Sequence, residues 1–291
     1  MMNVTNSKAS VLAVLVLYRM APEEAPAFRT LQELLRQDQE MAAAFACILY
    51  DNSPVQHLVP DTSFSCFYVH DQSNPGLALP YQYGLNYALR EQIPWLLLLD
   101  QDTVVTAAYL QELLAVTRRV EADEKVIAVV PKLLHEKLML SPHWPSRHPN
   151  PEPLDERTGM LDQKVRIFNS GSTLRVSALK ESGGFPQHFP LDFLDHVVFH
   201  RLQESGGRAY LMQAGLQHDL ACLKIDLVRE FRTSSRTRST MNAESRYYRQ
   251  YEAPRQLIIY FLRRGRLGVR MLLAGEFRGA LSLMYSTLFP S

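Results

Sequence analysis

The sequence predicts an α/β protein with a mostly parallel sheet flanked by helices and a C-terminal helical basic extension. Short apolar runs alternate with segments of helical spacing over the first ~130 residues, a pattern typical of strands joined by crossover helices. Polar clusters follow several of these runs, and the chain becomes rich in arginine after residue 223. With 46% hydrophobic and 21% charged residues, the 291-residue chain is too apolar to be disordered and too charged for a polytopic membrane protein.

Five short apolar runs predict strands, and the first of them is typical of a strand buried on both faces. They occupy residues 11–18, 44–50, 66–69, 95–99 and 126–130. Between them, apolar residues recur at helical spacing and predict helices over residues 27–37, 80–90 and 109–120. These alternating units imply a parallel sheet that is covered on both faces.

The following segment is less regular, and residues 141–153, rich in proline and histidine, predict an ordered loop or lid. The elements predicted beyond it are a strand pattern over 164–174, a helix over 191–204 and a strand over 210–216.

The balance of charge differs between the two parts of the chain. Residues 1–223 carry 18 basic and 25 acidic residues, whereas residues 224–291 carry 13 basic and 5 acidic residues. An acidic body and a basic tail suggest a body that handles a metal and a tail that meets an anionic partner.

Acidic residues follow three of the predicted strands. Asp51 and Asn52 follow the second, Asp71 follows the third, and Asp100-Gln101-Asp102 follows the fourth. The carboxyl ends of parallel strands meet at one edge of a sheet, where ligands bind, and carboxylates gathered there repel one another unless they share a cation. Asp100 and Asp102 suit Mg²⁺ or Mn²⁺, which also bind a diphosphate. The alternative is that Asp102 or Thr103 caps the next helix.

A series of motifs in a fixed order carries a family resemblance. The motifs are Asn74-Pro75-Gly76-Leu77-Ala78, the segment 83–89, the run LLLDQDT ending at Thr103, Phe168–Ser172, Gly183-Gly184-Phe185, and Leu191–Asp195 followed by Arg201 and Gly206. Together they resemble the inverting family 2 glycosyltransferases with the GT-A (Rossmann-like) fold, and LLLDQDT resembles the bacterial rhamnosyltransferase branch. The resemblance covers residues 11–220.

The resemblance implies a GT-A catalytic domain over residues 1–223, with a donor-binding half (1–134) and an acceptor-side half (135–223). The charge pattern separates from it a basic amphipathic helical tail over residues 224–291. The resemblance places Asp51 at the nucleotide base and Asp71 and Asn74 near the nucleoside. Asp100 and Asp102 would hold Mg²⁺ or Mn²⁺ with the donor diphosphate, and His218 is a candidate third ligand. The other residues expected to bind the donor are Asn52, Gly76, Asn86 and Gln101.

The resemblance also implies the catalytic base. Asp195 lies six residues before Arg201 and matches the Asp of the family's Glu-Asp motif, although Leu194 replaces the Glu. Asp192 is a second carboxylate, so either residue could be the base. An inverting transfer needs one base for the acceptor hydroxyl, and a metal can stabilise the departing diphosphate. The alternative for each Asp is simple helix capping.

Asn169, Ser170, Gly171 and Trp144 are the candidates for binding the acceptor or the donor sugar. The alternatives are a turn for the first three and surface packing for Trp144. In the tail, arginines interleaved with aromatic and aliphatic residues suit a helix in an anionic membrane interface, and equally suit helices packed on the body. The acidic body argues against nucleic acid.

The resemblance implies transfer of a sugar, with rhamnose from dTDP-rhamnose expected, to a saccharide acceptor in bacterial surface polysaccharide or lipid-linked oligosaccharide synthesis. The expected location is cytoplasmic and peripheral on the inner face of the plasma membrane, since the apolar run after Lys8 fits a buried strand better than a signal peptide. Two rivals remain: a nucleotidyltransferase acting on sugar phosphates, against which residues 18–22 lack a glycine-rich phosphate loop, and a non-catalytic carbohydrate- or membrane-binding relative.

Overall fold

The computed structural model describes residues 9–135, 138–145, 152–153, 157–217 and 235–289. The strands are β1 Val11–Leu17, β2 Phe45–Asp51, β3 Ser65–His70, β4 Trp95–Asp100, β5 Val126–His135, β6 Leu138–Ser141, β7 His143–Trp144, β8 Glu152–Pro153, β9 Gly159–Leu161, β10 Thr173–Arg175 and β11 Arg208–Gln217. The helices are α1 Pro26–Gln37, α2 Gln39–Ala44, α3 Ala78–Glu91, α4 Ala107–Arg119, α5 Val176–Glu181, α6 Leu194–Glu204, α7 Ser235–Tyr251, α8 Pro254–Leu273 and α9 Phe277–Leu288.

One large sheet organises the body. Its strand order is β3-β2-β1-β4-β10-β5-β11-β9, and β6 pairs with β5. β3, β2, β1 and β4 are mutually parallel, and β11 is parallel to β5. β10 lies antiparallel between β4 and β5, so the sheet is mostly but not wholly parallel. The predicted α/β class with a mostly parallel, helix-flanked sheet is therefore confirmed.

Burial on both faces explains why the central strands read as continuous apolar runs. Every residue of β1 and β2 is buried. Along β1, Leu12 and Val14 enter the core on one face of the sheet, whereas Ala13 and Leu15 enter the core on the other. Because successive strand side chains alternate between faces, a strand covered by helices on both sides has no solvent-exposed position to favour a polar residue.

Two predicted boundaries were wrong. The strand expected over 164–174 is restricted to Thr173–Arg175, and within residues 164–172 Arg166 forms an isolated bridge with His143. A turn closed by the N–H of Ser172 on the carbonyl of Asn169 stops the strand from extending backwards. The helix expected from residue 191 begins at Leu194, because Phe193 has a left-handed backbone with φ of 63°. In the predicted loop 141–153, β7 pairs with β8.

The C-terminal helices α7 and α8 pack against the body of the protein. Tyr247 and Tyr248 of α7 and Tyr260 of α8 are buried in the same core as Val197 and Phe199 of α6. The rings of Tyr248 and Tyr260 stack with centroids 4.7 Å apart. Within the part of the chain that the structure describes, no helix is both long and apolar enough to span a membrane.

Candidate active site

The acidic clusters lie at one edge of the sheet, as the sequence predicts. Asp51 ends β2, Asp100 ends β4, and Asp71 follows β3 directly. The backbone N–H of Asp71 donates to the carbonyl of Asp51 at 2.8 Å. The side chain of Gln101 accepts a hydrogen bond from the N–H of Tyr18 at 2.8 Å, which ties the D-x-D turn to the end of β1.

Asp51 is fully buried, and neighbouring residues donate hydrogen bonds to its carboxylate. Its carboxylate accepts hydrogen bonds from the N–H of Ser53 (2.9 Å), Nδ1 of His57 (2.8 Å) and the hydroxyl of Tyr68 (2.6 Å). Burial alone would raise the pKa of Asp51, but these hydrogen bonds outweigh it and the pKa lies below its usual value. The carboxylate therefore stays ionised and anchors the loop after β2.

The loop after β3 connects this anchor to the segment before α6. The amide of Asn52 donates to the carbonyl of Gly76 at 2.7 Å, and the N–H of Leu77 donates to the carbonyl of Pro190 at 2.6 Å. Gly76 has a φ of +84°, and a Cβ there would lie 2.4 Å from that same carbonyl oxygen. Only glycine allows this approach. Asn74, also at positive φ, is exposed in the same loop.

A cavity of about 240 Å³ is lined by both candidate bases and by Asp100, the one predicted donor-binding residue among its lining residues. Its polar lining residues are Asp100, Asn169, Ser170, Asp192, Asp195 and Arg236, and its apolar lining residues are Leu77, Leu133, Phe168, Leu191 and Phe193. Asp102 is exposed in the turn after β4. The polar residues gathered here come from four separate segments of the chain, and Arg236, from α7, was singled out by no sequence motif.

The two candidate bases have different surroundings. Asp195 lies in the first turn of α6, with its side chain 20% exposed, and accepts the N–H of His196 at 2.8 Å. Burial raises the pKa of Asp195 to about 7; the hydrogen bond from His196 opposes this rise, and the charge of Asp192 adds to it. Asp192 forms an ion pair with Arg236 at 3.0 Å. Asp195 is therefore the carboxylate suited to exchange a proton near neutral pH.

A buried phenol lies near the same carboxylates. Tyr81 of α3 is fully buried, and its pKa is raised well above its usual value by burial and by the negative charges of Asp100, Asp195 and Asp102. Asp100, Asp195 and Asp102 therefore all lie close enough to Tyr81 for their charges to act on its phenol. The sequence places Tyr81 on the apolar face of its helix and gives no sign of this position.

The turn 169–172 is locked to the D-x-D segment. The hydroxyl oxygens of Thr103 and Ser170 are 2.8 Å apart, and the N–H of Gly171 donates to the carbonyl of Leu98 at 2.9 Å. Gly171 has a φ of +72°, and a Cβ there would lie 2.4 Å from Cδ1 of Leu216. Thr103 is fully buried, and its hydroxyl joins the turn 169–172 to the D-x-D segment.

Two further predicted residues lie elsewhere, and a third is not among the residues that the structure describes. Asn86 is exposed on α3 and accepts a hydrogen bond from the amide of Gln82. Trp144 is partly buried against the core, and the guanidinium of Arg157 lies 6.0 Å from the centroid of its ring. Neither lines the cavity. His218 lies outside the described residues.

Neither a protein-family model nor a curated protein matches the sequence. Solved structures do match. TarS from S. aureus, a glycosyltransferase, aligns with a TM-score of 0.53 at 12% identity over 82% of this chain and 43% of TarS. The chain has a GT-A-like glycosyltransferase fold. The TarS fragment 1–349 aligns with a TM-score of 0.50 at 12% identity over 82% of this chain and 72% of the fragment. The same fragment in complex with UDP-GlcNAc gives a TM-score of 0.48 at 11% identity, over 86% and 75% of the two chains.

The residues expected to hold a metal are the two D-x-D carboxylates. Among the residues that the structure describes, no three His, Cys, Asp or Glu side chains are grouped so that they could hold a metal ion. Mg²⁺ is commonly held by only one or two carboxylates, with substrate phosphates and water completing its shell. Asp100 and Asp102 fit that pattern: both are hard oxygen donors, and the charges of both act on the phenol of Tyr81.

Proposed function

We propose that this protein is an inverting glycosyltransferase that uses a nucleotide-sugar donor and Asp195 as its general base. The observation that supports the proposal is the cavity in which Asp195 and Asp100 share one lining. On this proposal, the base and a residue that would hold the donor diphosphate line the same cavity. The GT-A-like fold, which the chain shares with TarS, agrees with this assignment.

In the proposed reaction the acceptor hydroxyl attacks the anomeric carbon of the donor sugar. A bond forms between the acceptor oxygen and that carbon, the bond from carbon to the diphosphate oxygen breaks, and its electron pair leaves with the nucleoside diphosphate. The hydroxyl proton passes to the carboxylate of Asp195. A pKa of about 7 lets this carboxylate be ionised before the step and hold a proton after it.

On this proposal, Asp100 and Asp102 bind the donor. With bound Mg²⁺ or Mn²⁺, they would hold the diphosphate and offset the charge that develops on it. Tyr18 and Gln101 fix the backbone of this turn. On the motif resemblance, the proposed donor is dTDP-rhamnose.

On this proposal, the turn 169–172 and the loop before α6 bind the acceptor. Asn169 and Ser170 line the cavity and carry the polar groups that a sugar hydroxyl needs. The proposed acceptor is a saccharide carried on a lipid diphosphate.

The test is turnover of a panel of nucleotide sugars that includes dTDP-rhamnose, with a soluble saccharide acceptor and Mn²⁺. We expect nucleoside diphosphate release that depends on the acceptor, and NMR of the product should show an inverted anomeric centre. Asp102→Ala should abolish turnover, whereas Asp61→Asn, an exposed carboxylate outside the site, should not change it. Release of pyrophosphate from a nucleoside triphosphate and a sugar phosphate would instead identify a nucleotidyltransferase.

A further inference from the structure

The last two helices present large apolar side chains to solvent. On α8 these are Ile258, Leu262, Val269, Leu272 and Leu273, between 43% and 85% exposed. On α9 they are Phe277, Leu281, Met284, Tyr285 and Leu288, between 51% and 66% exposed. Each set recurs at helical spacing and so forms a stripe along one face of its helix. Contiguous exposed apolar surface of this kind marks an interaction site.

The face of α8 that packs on the body is partly polar, whereas in most surface helices the polar residues face solvent. Arg264 is 4% exposed and forms an ion pair with Glu244 of α7 at 2.6 Å. Its guanidinium also donates to the carbonyl of Met241 at 3.0 Å. The helix is thus held on the body by a buried ion pair and an aromatic stack, while most of its leucines face outward. A helix that folds only to cover the core has no reason to place its leucines in water.

Arginines accompany both stripes. Arg255, Arg266 and Arg270 of α8 and Arg278 of α9 are exposed. Glu276 is the only acidic residue between positions 254 and 289. Apolar residues next to arginines suit the boundary between anionic head groups and acyl chains. A second copy of the chain fits less well, because a two-fold contact would bring like charges together.

The position of this surface relates it to the cavity. Tyr260 stacks on Tyr248, Arg264 contacts Glu244, and Met271 packs with Met241, so α8 runs antiparallel to α7. The turn between α8 and α9 therefore lies toward the end of α7 at which Arg236 reaches the cavity. An acceptor held in a surface contacted by this turn would be on the cavity's side of the molecule.

We propose that the outward faces of α8 and α9, which we name the apolar-arginine surface, bind the interface of an anionic phospholipid bilayer. Its use in presenting a lipid-linked acceptor rests on the proposed function, but the binding itself does not. The two helices lie along the membrane, with their apolar stripes among the head groups and their arginines against lipid phosphates.

The test is co-sedimentation of the full chain with vesicles of pure phosphatidylcholine and of phosphatidylcholine containing phosphatidylglycerol. We expect at least tenfold tighter binding to the anionic vesicles. Leu262→Asp with Leu273→Asp should weaken that binding at least tenfold, and Arg266→Glu with Arg270→Glu should remove the preference for anionic lipid. The matched controls are Leu58→Asp, in an exposed loop, and Arg29→Glu with Arg118→Glu, on the exposed faces of α1 and α4; both should bind like wild type.

Three results would overturn the proposal: equal binding of wild type to both vesicles, wild-type binding by either pair of surface variants, or a stable dimer that Leu273→Asp dissociates. Circular dichroism of each variant separates loss of binding from loss of folding. Turnover with a soluble acceptor, measured on the same variants, separates the two proposals. An inactive wild type that still binds anionic vesicles contradicts only the proposed function.

Discussion

Replacing Asp195 with Asn should stabilise the protein while abolishing its activity. The pKa of this carboxyl rises from 3.8 to about 7, a difference of about 3 units, and each unit corresponds to about 1.4 kcal/mol. The ionised form therefore costs about 4 kcal/mol of stability relative to the neutral form. Asparagine keeps the shape and the oxygen that accepts the N–H of His196, but it carries no charge.

The sign of the effect defines its pH window. Because the folded-state pKa lies above the unfolded value, this group's contribution to stability is fully present below pH ~4 and is lost as pH rises through about 7. At pH 8 the Asn variant should be more stable than wild type by about 2 to 4 kcal/mol, since a fifth of the side chain remains in water. At pH 4 the two should be equal.

Urea unfolding at several pH values, without added metal, measures this difference, and Asp61→Asn is the control for a carboxylate outside the site. Turnover of the Asp195 variant should fall roughly 10²- to 10⁴-fold, and wild-type turnover should rise with pH through about 7. A stability difference that is the same at pH 4 and pH 8 would refute the assigned environment. Near-normal turnover would refute the assigned role.

Three further predictions concern the surroundings of the site. Tyr68→Phe removes a hydrogen bond from the buried carboxylate of Asp51 and should cost about 1 to 3 kcal/mol in urea unfolding; no change would mean that the bond contributes nothing. Gly171→Ala places a Cβ at positive φ against a core side chain and should cost about 1 to 3 kcal/mol, visible as a lower Tm; an unchanged Tm would contradict the described turn. Arg236→Ala leaves Asp192 without its ion pair and adds net negative charge to the cavity, so the KM for an anionic donor should rise about tenfold; an unchanged KM would place the guanidinium away from the donor.

The central strands could be predicted because their burial is simple. A strand buried on both faces must be apolar throughout, and the chain must then turn at a polar residue, so β2 and β4 end at Asp51 and Asp100. The edge at which these carboxylates gather follows from parallel pairing alone. The sequence alone therefore predicted that these carboxylates lie along one edge of the sheet.

The sheet order beyond β4 could not be predicted in the same way. β10 has three residues, too few to show a period, and its place between β4 and β5 depends on pairing with strands far away in the chain. The turn at Asn169–Ser172 is also decided by distant contacts, such as the pairing of Ser170 with Thr103. Local sequence patterns do not contain these partners.

The sequence left the choice of base open for a similar reason. Asp192 and Asp195 both precede or begin a helix and look alike locally. What distinguishes them is Arg236, more than 40 residues away, which pairs with Asp192, and the burial of Asp195. Arg236 itself stood among many arginines in a basic tail, and only the packing of α7 on α6 shows that it reaches the cavity.

The most direct measurement of the central claim is a crystal structure of the protein with a nucleoside diphosphate and Mn²⁺. We expect the diphosphate and the cation at Asp100 and Asp102, with Asp195 facing the open side of the same cavity. A nucleotide bound elsewhere, or an Asp195 carboxylate closed off from it, would contradict the account.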